Sequence, residues 1–264
     1  MSKDLTVTTI QSNLIWHDIQ SNLDAFEAKI DAIDQETDLI ILPEMFTTGF
    51  SMEAEKLAES MSGPTMDWFR QKASDLNAVI TGSFICVKND KYYNRLIWMF
   101  PDGKFQSYDK RHLFAYAGEH ETYTSGEKRL VVEWKGWRIC PQICYDLRFP
   151  VWARFTEEQP YDLLIFTANW PEKRRLHWQQ LLIARAIENQ CYVIGVNRVG
   201  EDGKGFRYAG DSAVIDPMGE PIFRAAHQAV THTSVIELTH VKGVRDRFHF
   251  LDDADVFKIT AGHR

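Results

Sequence analysis

Three reactive side chains in this sequence each follow a short apolar run. Glu44 ends the stretch LIILPE, Lys110 ends FQSYDK and Cys144 ends RICPQIC. In α/β sheets, functional groups gather just outside the strand ends, where the backbone is rigid and the loops are open. A fold that brings these strand ends together would therefore place a carboxylate, an ammonium and a thiol in one site.

Such a set of residues has a specific chemistry, which is the attack of a thiol on an amide carbonyl. A cysteine thiol is mostly protonated at neutral pH, and Glu44 within hydrogen-bond reach would accept its proton. Lys110 would stabilise first the thiolate of Cys144 and then the oxyanion that forms on the attacked carbonyl. If a helix begins just after Cys144, the backbone N–H of Tyr145 is a second donor to that oxyanion.

The cysteine also has other interpretations. An isolated buried cysteine is usually a small core residue. Cys140 and Cys144 would suit zinc, but no second Cys or His pair at zinc-finger spacing follows, so we expect no metal. His112 and His120 lie near Lys110 in sequence and suggest a Cys–His hydrolase instead. The other cysteines lie within apolar runs and are predicted to be core residues: Cys86, Cys140 and Cys191.

One cation and two aromatic residues are candidates for contact with a substrate. Arg148 follows Cys144 by four residues, so a helical turn would place both side chains on one side, where a guanidinium binds a carboxylate through two hydrogen bonds. The alternative for Arg148 is a structural ion pair with Asp146 or a glutamate. Phe46 and Trp170 are candidate pocket walls, although such residues are more often involved in packing.

The segments between these residues include three predicted helices. A helix follows the strand LTVTTIQSNL, with Ser21 and Asp24 in a capping-box pattern. GPTMDWFRQKASDLN predicts a helix with Pro64 in its first turn and Asn77 at its end. The stretch from Lys173 to Gln190 predicts a long helix with several apolar residues available for burial: Leu176, Leu181, Ile183, Ala184 and Ile187.

The remaining apolar runs predict strands. DLIILPE and DLLIFTAN are typical of buried strands, AVITGSFICV and YYNRLIWMF of a hairpin, and RLVVEW and WRICPQIC of a second hairpin. Buried strands that alternate with amphipathic helices predict an α/β domain with a mixed sheet and more than two layers. Because no linker or repeat interrupts the chain, we predict one domain over residues 1–264, with the segment 243–264 packing on a partner subunit or on its own chain.

Composition and charge exclude several classes of function. The chain has 264 residues, a formal net charge of −7 and no stripe of Lys and Arg, which argues against nucleic acid or an anionic membrane as a partner. The N-terminal stretch has no apolar signal core, and no run of about twenty apolar residues occurs. Four cysteines in a chain of this length do not indicate a disulfide scaffold. We therefore expect a cytoplasmic protein that acts on a small molecule.

Several motifs resemble those of the nitrilase superfamily, the carbon–nitrogen hydrolases, and they occur in the order of that family. They are LPEMFTTGF, YDKRHLF, GEHETYTSGE, ICYDLRFP and HWQQLLIARAIENQCYVIGVNRVG, and the resemblance extends from the first strand to about Pro221. The resemblance implies a four-layer α-β-β-α sandwich, and we expect no cofactor. It also implies that the catalytic residues of the family correspond to Glu44, Lys110 and Cys144.

A further family glutamate, which positions substrate and lysine, corresponds to Glu119. Glu121 and Glu127 are close enough in sequence to be alternatives for this position. The resemblance further implies a homodimer, with the RFP segment and the helix at residues 174–190 as contact faces.

Within the superfamily, ICYDLRFP is most similar to the omega-amidases, which hydrolyse the terminal amide of short dicarboxylic monoamides such as 2-oxoglutaramate and 2-oxosuccinamate. Relatives with nitrile substrates usually carry Trp after the cysteine, where this chain has Tyr145. The segment NWPEKRRLHW is longer than in animal omega-amidases, which makes it a candidate for lining the pocket. Two alternatives are a hydrolase of another small amide or N-carbamoyl compound, and a catalytically silent binding module. Methionine salvage is one cellular context that the resemblance suggests.

Overall fold

The computed structural model describes residues 4–260. The strands are β1 (Asp4–Gln11), β2 (Leu39–Ile41), β3 (Val79–Lys88), β4 (Lys91–Met99), β5 (Phe105–Asp109), β6 (Val132–Trp134), β7 (Trp137–Ile143), β8 (Leu163–Ala168), β9 (Tyr192–Asn197), β10 (Val199–Glu201), β11 (Arg207–Ile215), β12 (Pro221–Ala226) and β13 (Val230–Glu237). The α-helices are α1 (Ile19–Asp31), α2 (Ala54–Leu57), α3 (Pro64–Leu76), α4 (Glu119–Thr122), α5 (Pro150–Ala153), α6 (Arg175–Asn189) and α7 (Leu238–Phe248). Short 3₁₀ segments cover Ala115–Ala117, Cys144–Arg148 and Glu172–Arg174.

The strands form two mixed sheets. The first sheet has the order β13-β1-β2-β3-β4-β5, and the second has the order β10-β11-β9-β8-β7-β6 with β12 paired to β11. In the first sheet the parallel strands β1, β2 and β3 lie side by side, and in the second sheet β7, β8 and β9 do so. Because parallel neighbours end at the same edge, the residues that follow β2 and β7 lie at sheet edges where loops are open.

Three buried clusters separate four layers. Apolar residues of β1, β2 and β3 pack directly against residues of β7, β8 and β9, which places the two sheets face to face. The outer face of the first sheet is covered by α1 and α3, and the outer face of the second sheet is covered by α6. The predicted α-β-β-α sandwich is therefore confirmed.

Most predicted element boundaries agree with the structure, but the start of α1 does not. The N-cap is Asp18, whose side chain accepts a hydrogen bond from the backbone N–H of Ser21 at 3.0 Å. The capping-box prediction at Ser21 and Asp24 was wrong by one turn, because a short polar residue caps a helix equally well at either position. By contrast, α3 begins at Pro64 and is closed by Asn77, as predicted, with Asn77 as a C-cap in the left-handed conformation.

The buried face of α6 also differs from the prediction. Its buried residues are Trp178, Leu182, Arg185, Ala186 and Asn189. Of the predicted residues, Leu181 and Ile183 are partly buried against the core, but Leu176 and Ile187 are exposed, at 62% and 53%. Apolar character alone identified only part of the face, because this helix also buries an arginine and an asparagine that have hydrogen-bond partners within the protein.

The C-terminal segment begins as a helix on its own chain. Arg245 of α7 donates hydrogen bonds to the carbonyl oxygens of Gln190 and Tyr161, at 3.0 and 2.8 Å. After α7 the chain is irregular and mostly exposed, with Val256 at 98% exposure. The last part of the predicted 243–264 segment, residues 261–264, lies outside the described residues. Within residues 4–260, no helix has the length and apolar character needed to cross a bilayer.

Candidate active site

The structure brings Glu44, Lys110 and Cys144 to one place between the sheets. Glu44 lies three residues after β2 and Lys110 directly follows β5, both in the first sheet, whereas Cys144 directly follows β7 in the second. Lys110 Nζ donates to Glu44 Oε1 at 2.8 Å, and both side chains are almost completely inaccessible to solvent. The two strand ends of one sheet therefore face the strand end of the other.

Glu119 of α4 completes this polar cluster. Its carboxylate oxygens Oε1 and Oε2 accept hydrogen bonds from Lys110 Nζ at 3.0 and 2.9 Å. Oε2 also accepts from the backbone N–H of Phe114. The two sequence alternatives, Glu121 and Glu127, are exposed at the surface, so Glu119 is the glutamate of this segment that contacts the lysine.

Two asparagines that the sequence analysis did not identify hold the carboxylate of Glu44. Asn94 Nδ2 donates to Glu44 Oε1 at 2.8 Å and to Glu119 Oε1 at 3.2 Å, while its Oδ1 accepts from Ser83 Oγ at 2.8 Å. The backbone N–H of Asn169 donates to Glu44 Oε2 at 2.8 Å. Each carboxylate oxygen of Glu44 thus has a fixed donor, which leaves the group with little rotational freedom.

These asparagines had different signals in the sequence. Asn169 follows the apolar run DLLIFTA at a strand end, so the rule that identified Glu44 and Cys144 also applies to it. Asn94 lies in the middle of β4, where a buried polar residue is rare and requires a partner. Its carboxylate partners come from the loop after β2 and from α4, so only the assembled fold reveals why it is there.

The backbone of Cys144 has an unusual conformation. Its φ angle is +43°, in the left-handed region that non-glycine residues seldom occupy. The chain turns there from β7 directly into a 3₁₀ segment, and strained residues of this type occur at active sites more often than elsewhere. The N–H of Tyr145 lies in the first turn of this segment, where a backbone donor lacks an acceptor within the helix.

Asp146 holds this turn in place. Its carboxylate accepts hydrogen bonds from the backbone N–H groups of Ile143 and His112, each at 3.0 Å, and from the hydroxyl of Tyr108 at 2.7 Å. The ring of His112 also contacts Asp146, with Nδ1 at 2.8 Å from Oδ1. Asp146 is fully occupied by these donors, so the alternative of an ion pair between Asp146 and Arg148 was wrong.

The histidines do not form a Cys–His pair with Cys144. His112 uses Nδ1 to contact Asp146 and stacks on Phe149, with ring centroids 3.7 Å apart. His120 is exposed at the surface. The other three cysteines are completely buried, as expected of core residues: Cys86, Cys140 and Cys191.

Burial and charge determine the protonation of the site. Burial, together with the negative charge of Glu44, raises the pKa of the Cys144 thiol well above its ordinary value, and the positive charge of Lys110 offsets only part of this. Burial alone would lower the pKa of Lys110, but Glu119 and Glu44 outweigh it and raise the pKa. Burial also raises the pKa of Glu119 against the opposing effect of Lys110. These shifts favour a neutral thiol and an ammonium in the resting site.

A cavity of about 200 Å³ opens onto Cys144 and Lys110. Its walls are aromatic, and its polar groups include three cations besides Lys110: Arg148, Arg174 and Lys204. Tyr145 and Trp170 line the cavity, and so do Pro171 and Arg174. The segment NWPEKRRLHW therefore contributes to the pocket wall, as its sequence predicted.

Phe46 is not a pocket wall, which corrects its sequence prediction. Its ring is completely buried on the far side of the first sheet. It contacts the rings of Phe26, Trp68 and Phe69, with centroid distances of 5.3 to 5.6 Å. Proximity to Glu44 in sequence misled here, because the chain reverses after residue 44 and places Phe46 against the helices α1 and α3.

The arrangement is suited to covalent hydrolysis of a carbonyl compound. A thiol, a carboxylate that can accept its proton and an ammonium that can stabilise an oxyanion surround one end of this cavity. Within the described part of the chain, no group of three or more His, Cys, Asp or Glu residues has the geometry to hold a metal ion.

Comparison with known proteins places the chain in a family. Residues 6–244 match the family model described as carbon-nitrogen hydrolase. Omega-amidase YafV of Escherichia coli (strain K12) is 47% identical over 257 residues, which cover 97% of this chain and 98% of that protein. A 2-oxoglutaramate amidase of Bacillus subtilis (strain 168) is 30% identical and covers 94% of this chain and 96% of that protein.

A solved structure agrees with this relationship. A Xanthomonas campestris protein, described as a CN-hydrolase superfamily protein with an arsenic adduct in the active site, superimposes with a TM-score of 0.95 at 48% identity. The match covers 97% of this chain and 99% of that chain. The sequence motifs, the two-sheet sandwich and these full-length similarities agree, and the chain belongs to the carbon–nitrogen hydrolase family.

Proposed function

We propose that the protein is an omega-amidase that hydrolyses the terminal amide of a short dicarboxylic monoamide, such as 2-oxoglutaramate or 2-oxosuccinamate, to the acid and ammonia. One observation carries this proposal. Cys144, next to the Glu44–Lys110–Glu119 cluster, shares a cavity with the guanidinium of Arg148. Similarity to an omega-amidase and to a 2-oxoglutaramate amidase supports the same substrate class.

Acylation begins with a neutral thiol. As the sulfur of Cys144 attacks the amide carbon, its proton passes to Glu44, and Lys110 and the N–H of Tyr145 stabilise the oxyanion. Transfer of the proton to Glu44 as the C–S bond forms avoids a separate buried thiolate, which burial and the nearby carboxylate disfavour.

Collapse of the tetrahedral species then releases ammonia. Protonated Glu44 gives its proton to the departing nitrogen, the C–N bond breaks and a thioester remains on Cys144. Glu44, again a carboxylate, removes a proton from water as that water attacks the thioester. The C–S bond then breaks, the sulfur of Cys144 regains the proton from Glu44, and the acid leaves. The two asparagines that hold Glu44 support both roles, since they fix one oxygen each without supplying a competing acid.

Arg148 is the proposed partner of the distal carboxylate of the substrate. It lines the cavity that contains Cys144 and lies on the face of Trp170, with Cζ 4.6 Å from the ring centroid. We expect Arg148→Lys to raise KM for 2-oxoglutaramate by about tenfold or more, because a bidentate charged contact is replaced by a single point charge. Steady-state kinetics with 2-oxoglutaramate and a neutral amide measure this effect, and equal changes for both substrates would remove Arg148 from the carboxylate site.

The proposed function is tested by kinetics and by mass spectrometry. The substrates are 2-oxoglutaramate, 2-oxosuccinamate, succinamate and glutamine, with ammonia as the measured product. Brief mixing of 2-oxoglutaramate with the protein is expected to give an acyl adduct that Cys144→Ala lacks. Absence of both ammonia release and adduct would contradict the proposal, and release of carbon dioxide with ammonia from an N-carbamoyl compound would favour the related hydrolase instead.

We also propose that the protein is a cytoplasmic homodimer. Three exposed apolar side chains lie on the predicted contact faces: Val151 on α5, and Leu176 and Ile187 on α6. Their exposure gives these faces an apolar character that a second subunit would cover. Sedimentation analysis of the wild type and of Leu176→Glu tests this assembly, and a wild-type monomer would contradict it.

A further inference from the structure

Two arginine side chains line the cavity without a carboxylate partner. Arg148 lies on the ring of Trp170, and Arg174 lies on the ring of Phe114, with Cζ 5.3 Å from the centroid. Among residues 4–260, neither guanidinium forms a salt bridge, although most other buried or half-buried arginines of the protein do. Asp202, which also lines the cavity, uses its carboxylate for hydrogen bonds within its own loop and strand, so both arginines remain available to bind an anion.

The two guanidinium groups are close enough to affect each other. Burial lowers the pKa of Arg148, and the positive charge of Arg174 lowers it further. Two like charges beside apolar walls repel each other, and an anion between them removes this repulsion. Aromatic faces hold both groups in position, so little side-chain entropy remains to be lost when the anion binds.

The loop after β8 fixes both arginines. Trp170 Nε1 donates to the carbonyl oxygen of Arg174 at 2.8 Å, and the N–H of Arg174 donates to the carbonyl oxygen of Pro171 at 3.0 Å. At the start of α6, His177 Nδ1 accepts a hydrogen bond from Arg148 Nη2 at 3.0 Å. One short segment therefore carries Arg174, the aromatic support of Arg148 and the acceptor that orients it.

We infer that Arg174 is a specificity-determining residue that forms a two-guanidinium clamp with Arg148 around the carboxylate end of the substrate, and that this clamp rejects amides with a neighbouring ammonium group. The inference rests on the proposed function for the identity of the substrate. A 2-oxo acid amide presents a carboxylate beside a neutral carbonyl, and both accept hydrogen bonds from guanidinium. Glutamine presents the same carboxylate beside an ammonium, which two nearby cations repel.

The kinetic test compares Arg174→Gln and Arg174→Lys with a matched control. Lys173→Gln removes a positive charge from the adjacent residue, which is exposed and does not line the cavity. We expect Arg174→Gln to lower kcat/KM for 2-oxoglutaramate by about 10- to 100-fold, mainly through KM, because a charged hydrogen-bond donor is lost. Arg174→Lys is expected to show a smaller decrease in kcat/KM, because it keeps the positive charge. Lys173→Gln is expected to have the kcat/KM of the wild type.

Selectivity provides the decisive measurement. Selectivity is the ratio of kcat/KM for 2-oxoglutaramate to kcat/KM for a second amide. In Arg174→Gln this ratio is expected to fall about tenfold or more, both with glutamine and with butyramide as the second amide. A variant that loses activity on all three amides by the same factor, while the wild type hydrolyses 2-oxoglutaramate, would overturn the inference.

A binding test separates the clamp from the proposed reaction. Glutarate is expected to slow the alkylation of Cys144 by iodoacetamide in the wild type and in Lys173→Gln, but not in Arg174→Gln, whereas neutral glutaric diamide should not distinguish the three proteins. If glutarate protects in this manner but the wild type releases no ammonia from 2-oxoglutaramate, the proposed function fails and the clamp stands. If ammonia is released and glutarate protects Arg174→Gln as well as it protects the wild type, the clamp fails.

Discussion

Lys110→Met is the substitution with the largest expected effect on the buried cluster. Lys110 Nζ is the common partner of Glu44 at 2.8 Å and of Glu119 at 2.9 and 3.0 Å. Methionine has a similar length and no charge, so the substitution leaves two buried carboxylates that no cation neutralises. The net charge of the cluster changes from one negative unit to two.

The magnitude follows from the contacts that remain. Removal of one partner from a buried ion pair typically costs about 3–5 kcal/mol. Glu44 retains the donors Asn94 and Asn169, and Glu119 retains the N–H of Phe114, so we expect the loss of unfolding free energy at pH 7 to fall within this range. The missing oxyanion donor should lower kcat by about 10²–10³-fold.

The effect on stability depends on pH with a definite sign. Without the lysine, burial raises the pKa of at least one of the two carboxylates above its value in the unfolded chain. A raised carboxyl pKa gives stability that is present below the unfolded pKa and is lost as the pH rises through the folded pKa. Lys110→Met should therefore be closest to wild-type stability in acid and furthest from it at neutral pH.

A double variant separates stability from catalysis. Urea unfolding and ammonia release are measured for Lys110→Met, for Lys110→Met/Glu119→Gln and for the control Lys128→Met, which changes an exposed lysine. The double variant returns the cluster to one negative charge, so it should regain most of the stability but no activity. A single variant that is as stable as the wild type, or that releases ammonia within about tenfold of the wild-type rate, would refute the charge argument.

Two further predictions concern the thiol and the histidines. Glu44→Gln removes the charge that, after burial, raises the pKa of Cys144, so alkylation by iodoacetamide at neutral pH should become faster while ammonia release nearly stops. Slower alkylation would contradict the charge argument, and ammonia release at the wild-type rate would mean that Glu44 has no base function. His112→Ala removes one partner of buried Asp146 and should lower the unfolding free energy by about 1–3 kcal/mol in urea titrations. Ammonia release by His112→Ala and by exposed His120→Ala should stay near the wild-type rate, and a loss comparable to that of Lys110→Met would restore the Cys–His alternative.

The sequence by itself identified the parts of the site that follow a local rule. Glu44 and Cys144 follow buried apolar strands, and the geometry of strands makes the end of a buried run a place where a polar side chain meets an opening, whereas Lys110 follows the mostly exposed strand β5. Helix limits such as Pro64 and Asn77 were predictable for the same reason, because caps depend on the φ and ψ angles of one or two residues.

Tertiary structure decided which residues meet. Glu119 and not Glu121 contacts the lysine, Asn94 and Asn169 hold Glu44, and Phe46 faces helices instead of the cavity. The partners in these contacts lie on different strands, helices or loops, and no periodicity along the chain encodes which of these elements meet. The protonation of Cys144 is of the same kind, since it depends on burial and on a carboxylate one hundred residues away in sequence. Local spacing therefore determined the chemical groups, and long-range packing determined their partners and charge states.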